Sequence, residues 1–171
     1  VRVLDPETIT DVCAFANREL DFNFLMDLSG VDNYGDDPRW TVVYELYGLR
    51  HRGHLRLKTD VGEEKSELPT VSGVWRTANW HEREVYDMFG IIFEGHPDLR
   101  RLLMWETYHE GHPLRKGFPL RGHFSRGEQT RQALAANPEA HYSLEELSIA
   151  EAYDDLPQSM RERLARGERG D

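Results

Sequence analysis

The sequence predicts an α+β fold: an antiparallel (mixed) sheet with helices packed on one side, followed by an extended C-terminal ribbon and short tail helices. Three observations lead to this prediction. Two early segments carry apolar residues at helical spacing, and three others have the composition or alternation of strands. A segment rich in Gly and Pro then interrupts the periodicity. The chain has 171 residues, enough to bury a core without disulfides or metals.

The first helix is predicted to begin at residues 5–7, Asp-Pro-Glu. The aspartate can cap the helix, the proline suits its first position, and the glutamate is an acid in its first turn. The apolar positions that follow share one helical face: Ile9, Val12, Cys13, Ala16 and Leu20. The lone cysteine is therefore expected in the core.

Three strands are predicted over residues 22–29, 40–47 and 55–61, and residues 1–3 are interpreted as the stub of a fourth. A turn cluster at 33–38 joins the first two. In the first of these strands the apolar alternation predicts that one face is formed by Phe22, Phe24, Met26 and Leu28. A polar loop is expected after the third.

A second helix is predicted to start near Asn79 and to run to Phe89. Asn79 and Glu82 have the spacing of a capping box, and Gly90 suits the left-handed position that ends a helix. The residues expected to face the core are Val85, Met88 and Phe89.

The segment after this helix is predicted to be extended, because each of two Gly-His-Pro corners holds the residue before proline in an extended conformation. A segment of this length without its own core needs another surface to lie on. We therefore divide the chain into an α/β head (1–90), an extended partner-binding ribbon (91–127) and an acidic helical tail (128–171).

Composition excludes several classes of function. The 31 acidic residues outnumber the 21 Lys and Arg residues, for a net charge of −10. This argues against nucleic acid as the main partner and against direct binding to anionic lipid. A single cysteine, Cys13, cannot form an internal disulfide or ligate an iron–sulfur cluster. With no apolar run long enough to span a bilayer and no signal peptide, we expect a cytosolic, soluble protein without its own redox centre.

Short motifs for metals and nucleotides fail on inspection. His81-Glu82 begins a zinc-protease pattern, but Val85 stands where the second histidine is needed. The eight histidines form no set of three or four convergent ligands. No Gly-x-Gly, phosphate loop or serine elbow is present, so NAD, FAD and ATP sites of the familiar kinds are not expected.

The acids of the second helix have two interpretations. Glu82, Glu84 and Asp87 could form an acid/base group, and a stand-alone hydrolase using Glu82, Glu84 or His81 is the corresponding hypothesis. No nucleophile or metal set accompanies them. Arg83 and Asp87 are spaced i,i+4 and predict an ion pair. We favour a structural role, in which these charges hold the basic ribbon against the helix.

Six basic residues follow in and just after the ribbon's corners: Arg100, Arg101, Arg115, Lys116, Arg121 and Arg126. They could bind nucleic acid or meet the carboxylates of a neighbouring protein. The acidity of the whole chain favours the protein-facing interpretation.

Residues 82–103 and 111–120 resemble the signature of the 30 kDa subunit family of NADH:quinone oxidoreductase, respiratory complex I. The resemblance extends over roughly residues 1–122, and ordered charges over this length are far more specific than one short motif. The family usually has an acid where this chain has Gly117. The positions to which the resemblance and the ribbon interpretation assign partner binding are Glu82, Arg83, Glu84, Asp87, His96, Arg100, Arg101, His112, Arg115 and Lys116.

The resemblance implies a non-redox, peripheral-arm subunit with no catalytic residues and no cofactor of its own. The FMN, iron–sulfur clusters and quinone of such a complex would lie in other subunits. The implied partners are the large quinone-site subunit and the small cluster-bearing subunit of the same complex, on the cytoplasmic side of the inner (plasma) membrane. Related subunits occur in membrane-bound hydrogenases and other dehydrogenases, so the electron donor stays open. We expect Arg100→Ala or Arg115→Ala to impair assembly more than folding of the head.

Overall fold

The computed structural model describes residues 1–120 and 122–136. The chain divides into two compact units, Val1–His123 and Phe124–Asp171. The described part of the second unit contains one helix, α3 (Arg126–Ala136), which has no buried residue. The rest of the predicted acidic helical tail, residues 137–171, lies outside the described residues.

The main sheet has four strands: β1 (Arg2–Val3), β2 (Phe24–Asp32), β3 (Trp40–Gly48) and β4 (Gly53–Val61). Their order across the sheet is β1-β4-β3-β2. β2, β3 and β4 are antiparallel neighbours, and β1 runs parallel to β4. The predicted mixed sheet of an α+β fold is confirmed, including the short strand at the start of the chain.

One predicted strand face is wrong. Leu25 and Leu28 are buried in β2, whereas Phe24 is 44% exposed and Met26 is 47% exposed. The cause is a register shift between Leu25 and Asp27, where β2 carries an irregularity against β3. An extra residue in a strand reverses the alternation of the side chains that precede it, and simple alternation in the sequence cannot reveal this.

β3 lies in the interior of the sheet between β2 and β4 and carries much of the core. Its alternate side chains are at most 1% exposed: Trp40, Val42, Tyr44 and Leu46. Helix α1 (Ile9–Arg18) follows a 3-10 turn at Pro6–Thr8. Asp5 caps that turn by accepting from the N–H of Glu7 at 3.2 Å, as predicted. The face that α1 buries consists of Ile9, Cys13 and Ala16.

Helix α2 (Ala78–Phe89) packs against β2, and its core face is the predicted one. The predicted capping box is wrong. The residue before the helix, Thr77, makes no side-chain cap, and Glu82 does not turn back toward Asn79. The Glu82 carboxylate instead accepts hydrogen bonds from residues 70 and 71 and is fully buried. The hydrogen bonds from residues 70 and 71 therefore replace the local cap that the sequence predicts for Glu82.

Two short strands, β5 (Glu67–Pro69) and β6 (Ile92–Glu94), form a second, parallel sheet. They lie on either side of α2 in the sequence, and three residues each are too few for a periodic signal. Leu68, Ile91 and Phe93 are at most 2% exposed, so the start of the ribbon belongs to the core. The structure therefore has no break after residue 90, where the sequence predicted the end of the head.

The rest of the ribbon, as far as it is described, contains neither helix nor strand after Glu94 and before Arg126. Up to His123 it lies in the same compact unit as the sheet. The Gly-His-Pro corners predict an extended conformation here, whereas the described backbone makes a succession of turns, for example from Trp105 to Tyr108 and from Arg115 to Phe118. Its attachment to the head comes from side-chain contacts with α2.

Candidate functional site

The strongest of these contacts centres on Asp87, a fully buried carboxylate in the last turns of α2. Its Oδ1 accepts from Arg101 Nη1 at 2.6 Å. Its Oδ2 accepts from three successive backbone N–H groups, of Leu102, Leu103 and Met104, at 3.1, 2.7 and 2.8 Å. One carboxylate thus fixes three residues of the ribbon and one guanidinium beside the helix.

These donors decide the charge of Asp87. Burial acts to raise the pKa of its carboxyl, but the hydrogen bonds from Met104, Arg101, Leu103 and Leu102 outweigh burial and hold the pKa below its usual value. Hydrogen bonds to an ionised carboxylate stabilise the ionised form. Asp87 is therefore the anionic half of a buried ion pair with Arg101, whose side chain is 16% exposed.

Arg83, one turn earlier on α2, completes what we call the Asp87 cluster: Arg83, Asp87, Arg101 and the backbone of residues 100–104. Its Nε and Nη2 donate to the carbonyls of Arg100 and Arg101 at 3.1 and 3.0 Å. The predicted Arg83–Asp87 ion pair is wrong, because the ribbon supplies each of them with other partners. The predicted structural role, in which helix charges hold the ribbon, is confirmed for Asp87 and Arg83 and not for Glu84, which is exposed.

Basic residues of the ribbon also cover the C-terminal end of α2, whose own last turn has no basic residue. His112 Nδ1 lies 2.9 Å and Arg101 Nη1 3.3 Å from the carbonyl oxygen of Asp87. Arg115 Nε donates to the carbonyl of Phe89 at 2.6 Å. The last carbonyls of a helix lack partners within the helix and carry its negative dipole end, so donors and cations are stabilising here.

Gly90 makes this close approach possible. Its φ of +75° confirms the predicted left-handed end of the helix. A Cβ at this position would lie 2.5 Å from both Arg115 Nη2 and His112 Nε2. Glycine is therefore required twice, for the backbone conformation and for the space that the two ribbon side chains occupy.

A second junction ties the ribbon to β2. The backbone N–H of Lys116 donates to Asp32 Oδ2 at 2.7 Å. Arg39 donates to the same carboxylate from Nε and Nη2, at 2.9 and 3.0 Å. Its Nη1 donates to Glu63 at 2.6 Å. Hydrogen bonding to Arg39 holds the pKa of Asp32 below its usual value. No local pattern predicts this junction, because Asp32 and Lys116 are 84 positions apart.

The other buried acid of α2, Glu82, has a different environment. Its Oε2 accepts from the hydroxyl of Thr70 at 2.5 Å and its Oε1 from the N–H of Val71 at 2.7 Å. No guanidinium or ammonium group within ion-pair distance faces it among the described residues. Burial raises the pKa of Glu82 to about 7, although the two hydrogen bonds oppose the rise.

His96 lies beside Glu82 with its side chain fully buried, Nε2 being 3.8 Å from Glu82 Oε2. The N–H of Asp98 donates to His96 Nδ1 at 3.0 Å, so the ring proton is on Nε2. That nitrogen donates to the carbonyl of Asn79 at 3.1 Å. The first Gly-His-Pro corner is thus fixed to the start of α2, as the second is fixed to its end.

The ten predicted partner-binding residues fall into three groups. Glu82, Arg83, Asp87 and His96 are buried or have fully buried side chains, and Arg101, His112 and Arg115 are half-buried within the chain. Glu84, Arg100 and Lys116 are exposed. Among the described residues, Arg100 pairs only with the exposed acids Asp98 and Glu106.

Metal ligands and membrane spans were also sought. Within residues 1–120 and 122–136, no three His, Cys, Asp or Glu side chains are grouped so as to hold a metal ion. No helix in the same residues has the length and apolar character that crossing a membrane requires. Cys13 is buried as predicted, and burial raises the pKa of its thiol to about 12.

Comparison with known proteins identifies the family. The family described as "Respiratory-chain NADH dehydrogenase, 30 Kd subunit" matches residues 2–124. The matched region contains the Asp87 cluster, the contact between Lys116 and Asp32, and the ribbon up to residue 124. The chain belongs to this family. The predicted resemblance is confirmed.

Relatives within the 30 kDa subunit family are similar over the same region. The NADH-quinone oxidoreductase subunit named "C 2" of Rhizobium meliloti (strain 1021) is 55% identical over 120 residues, 69% of this chain and 65% of the relative. The protein of the same name from Rhizobium etli (strain CIAT 652) is 53% identical over 125 residues, 72% of this chain and 66% of the relative. The match thus spans just under two thirds of the length of both.

Two solved structures are also similar. The trypsin-resistant fragment (1-134) of Nqo5 has a TM-score of 0.53 and 42% identity, covering 58% of this chain and 80% of that one. A chain of the membrane-bound sulfane sulfur reductase, an archaeal respiratory membrane complex, has a TM-score of 0.62 and 26% identity, covering 70% of each.

Proposed function

We propose that this chain is a non-redox, peripheral-arm subunit of a proton-translocating NADH:quinone oxidoreductase. It holds the large quinone-site subunit and the small cluster-bearing subunit together, on the cytoplasmic side of the inner (plasma) membrane. It thereby supports electron transfer from NADH to quinone through FMN and iron–sulfur clusters bound in other subunits. The observation that carries this proposal is the family match over residues 2–124, which contain the whole Asp87 cluster.

The exposed part of the ribbon is the surface proposed to meet these partners. Three of its leucines turn toward solvent: Leu103 is 61% exposed, Leu114 is 54% exposed and Leu120 is fully exposed. Exposed apolar side chains flanked by charges are the usual composition of a protein interface. Glu84, Arg100 and Lys116 supply exposed charges beside them.

The buried signature residues act indirectly in this proposal. Asp87, Arg83 and Arg101 hold the ribbon in one conformation before any partner binds. A segment that is already ordered loses less conformational entropy on binding, which strengthens association without additional contacts. In this proposal the buried signature residues position the ribbon and do not themselves contact the partner subunits.

Co-purification of the assembled complex tests this function. The full chain is expressed with its neighbouring subunits, and bound chains are identified by mass spectrometry. We expect Leu103→Ser with Leu114→Ser to lower recovery of the quinone-site and cluster-bearing subunits, whereas Leu49→Ser, an equally exposed leucine outside the ribbon, leaves it unchanged. Equal recovery for both variants, or NADH oxidation by the chain alone, would refute the proposal.

A second candidate is the equivalent subunit of a membrane-bound hydrogenase or a related dehydrogenase. The similarity to a chain of the sulfane sulfur reductase complex, over 70% of both chains, favours keeping it. The identity of the co-purified chains separates the two: a flavin- and NADH-binding subunit supports the first, a nickel-ligating large subunit the second. The hydrolase hypothesis has little support, because Glu82 is fully buried with both oxygens hydrogen-bonded.

A further inference from the structure

A cavity of about 260 Å³ opens between the second Gly-His-Pro corner and the start of β3. Its lining contains two arginines and two histidines and no acidic residue: Arg39, Gly111, His112, Arg115, Gly117, Phe118, Pro119 and His123. All of these residues belong to the first compact unit. A concave site with this lining is suited to an anionic group.

The two arginines differ in how their charge is balanced. Both stack on Trp40, with guanidinium carbons 4.3 Å (Arg39) and 5.0 Å (Arg115) from the ring. Arg39 is neutralised by Asp32 and Glu63. Arg115 uses its Nε for the carbonyl of Phe89, and within the described residues its two terminal nitrogens have no acceptor.

The Arg115 side chain is half-buried, but its two terminal nitrogens are accessible to solvent and can donate to a group in the cavity. The acids that act on the charge of Arg115 are Asp32 and Glu63, and both already pair with Arg39. The Oε2 atom of Glu110 accepts from the backbone N–H of His123 at 3.1 Å and makes no ion pair with Arg115. The fork of Arg115 is therefore not occupied by any described part of the chain.

His112 adds a second polar group to the same wall. Its Nδ1 is bound to the carbonyl of Asp87, and its Nε2 has no partner among the described residues. Burial, with smaller contributions from Arg115 and Arg101, holds the pKa of His112 below its usual value. An anion beside the ring would reverse this by stabilising the protonated form.

We propose that this cavity binds the carboxylate of an Asp or Glu side chain from a neighbouring protein chain, which pairs with the free fork of Arg115. This rests on the proposed function, in which the ribbon meets other subunits. A planar fork matches a carboxylate, and the apolar Phe118 and Pro119 suit the stem of an amino-acid side chain. The net charge of −10 disfavours a free polyanion or an anionic lipid surface.

Binding is tested on the full chain with a blocked glutamate, N-acetylglutamate methylamide, followed by NMR of the arginine Nε and histidine ring signals. We expect saturable binding with a Kd in roughly the millimolar range, as two charge-assisted hydrogen bonds provide, and an upward shift of the His112 pKa. Arg115→Gln should abolish both effects, and Arg100→Gln, an exposed arginine outside the cavity, should leave both unchanged.

Gly117→Asp provides a second variant that does not remove the arginine. A Cβ at Gly117 meets only Tyr34, at 4.0 Å, so the side chain fits. The new carboxylate should occupy the cavity and abolish binding of the blocked glutamate while the fold is kept. Undiminished binding in this variant, or no saturable binding to the wild type, would overturn the proposal.

Inorganic phosphate is titrated in parallel, and equal or tighter binding at the same signals would reassign the cavity to a free oxyanion. In the co-purified complex, Arg115→Gln should weaken retention of the chain about tenfold relative to Arg50→Gln, an exposed arginine outside the ribbon, and equal retention contradicts the inference. If the wild-type chain does not co-purify with the quinone-site and cluster-bearing subunits, the proposed function fails, while the titration still decides whether the cavity binds a carboxylate.

Discussion

Helix α2 contains two fully buried carboxylates five residues apart, and their chemistry is opposite. Asp87 accepts from a guanidinium and three backbone N–H groups, and its pKa lies below the usual value. Glu82 accepts from one hydroxyl and one N–H, and its pKa rises to about 7. Equal burial therefore produces opposite shifts, because the number and charge of the donors decide the balance.

The difference corresponds to two functions within the fold. Asp87 is an ionised group that attaches the ribbon, and its loss leaves Arg101 and three backbone N–H groups of the ribbon without this acceptor. Glu82 joins α2 to the segment after β5, and its burial favours the neutral, protonated carboxyl. Each environment can be disrupted by its own substitution.

Asp87→Asn is expected to have the largest effect. Removing one partner of a buried ion pair typically costs about 3–5 kcal/mol, because the other charge stays buried. We therefore expect a loss of about 3 kcal/mol in the free energy of unfolding of the full chain, measured in urea, and new protease cleavage between residues 98 and 112. Glu84→Gln, an exposed acid on the same helix, is the control and should change neither. Equal behaviour of the two variants would contradict the account.

Glu82 is expected to make stability depend on pH near neutrality. Its pKa is about 7 in the folded chain against an ordinary 4.5, so folding favours the protonated acid. Stability is complete below about pH 4.5, falls as the unfolded chain ionises, and has lost about 3 kcal/mol once the pH passes 7. Glu82→Gln should remove this slope in urea denaturation between about pH 5 and pH 8. An unchanged slope in the variant would show that Glu82 is not its source.

Asp87 has the opposite dependence, which separates the two acids experimentally. Its lowered pKa means that its contribution is present above the pKa of the unfolded chain and is lost as the pH falls through the folded value. The Asp87→Asn defect should therefore shrink in acid, below the range in which the Glu82 slope appears. A defect that stays constant down to acidic pH would argue against an ionised Asp87.

Gly90→Ala should cost about 1–3 kcal/mol. The positive φ accounts for about 1 kcal/mol, and the rest comes from displacing Arg115 and His112, each 2.5 Å from the new Cβ. Gly73→Ala is the matched control, because an added Cβ there meets nothing within 4 Å and no positive φ is involved. Thermal unfolding of the two variants compares them, and equal Tm values would refute this role of Gly90.

Substitutions at Arg115 and Arg100 should differ in their effect on stability, although both residues follow a Gly-His-Pro corner in the sequence. Arg115 is half-buried over Trp40 and bonds to the end of α2, so Arg115→Ala should destabilise the folded unit by about 1–2 kcal/mol. Arg100 is 59% exposed, and Arg100→Ala should leave the Tm unchanged. An equal Tm for both variants would instead support the sequence-based expectation that both substitutions impair assembly more than folding of the head.

Much of the fold was predictable because its signals are local. The Asp5 cap of the 3-10 turn before α1, the left-handed Gly90 and the strands β3 and β4 follow from short patterns. The errors have non-local causes. A register shift exposes Met26, and contacts with residues 70 and 71 draw Glu82 away from a cap.

The sequence predicts which residues form the candidate site, but it does not predict which of them contact each other. The charge pattern of α2 and the ribbon identified Arg83, Asp87 and Arg101 together. Only the structure shows that Asp87 pairs with Arg101 and that Arg83 holds carbonyls. The contribution of Asp32 and Arg39 depends on contacts across 84 positions, and spacing in a sequence has no signal at that range.

Hydrogen exchange of the backbone amides of Leu102, Leu103 and Met104 in the full chain is the direct test of whether the Asp87 carboxylate attaches the ribbon to α2. These amides lie outside any helix or strand, so the Asp87 carboxylate is their only acceptor in the described structure. The account predicts protection in the wild type and loss of protection in Asp87→Asn, while β3 amides stay protected. Exchange of the three amides at free-chain rates in the wild type would contradict it.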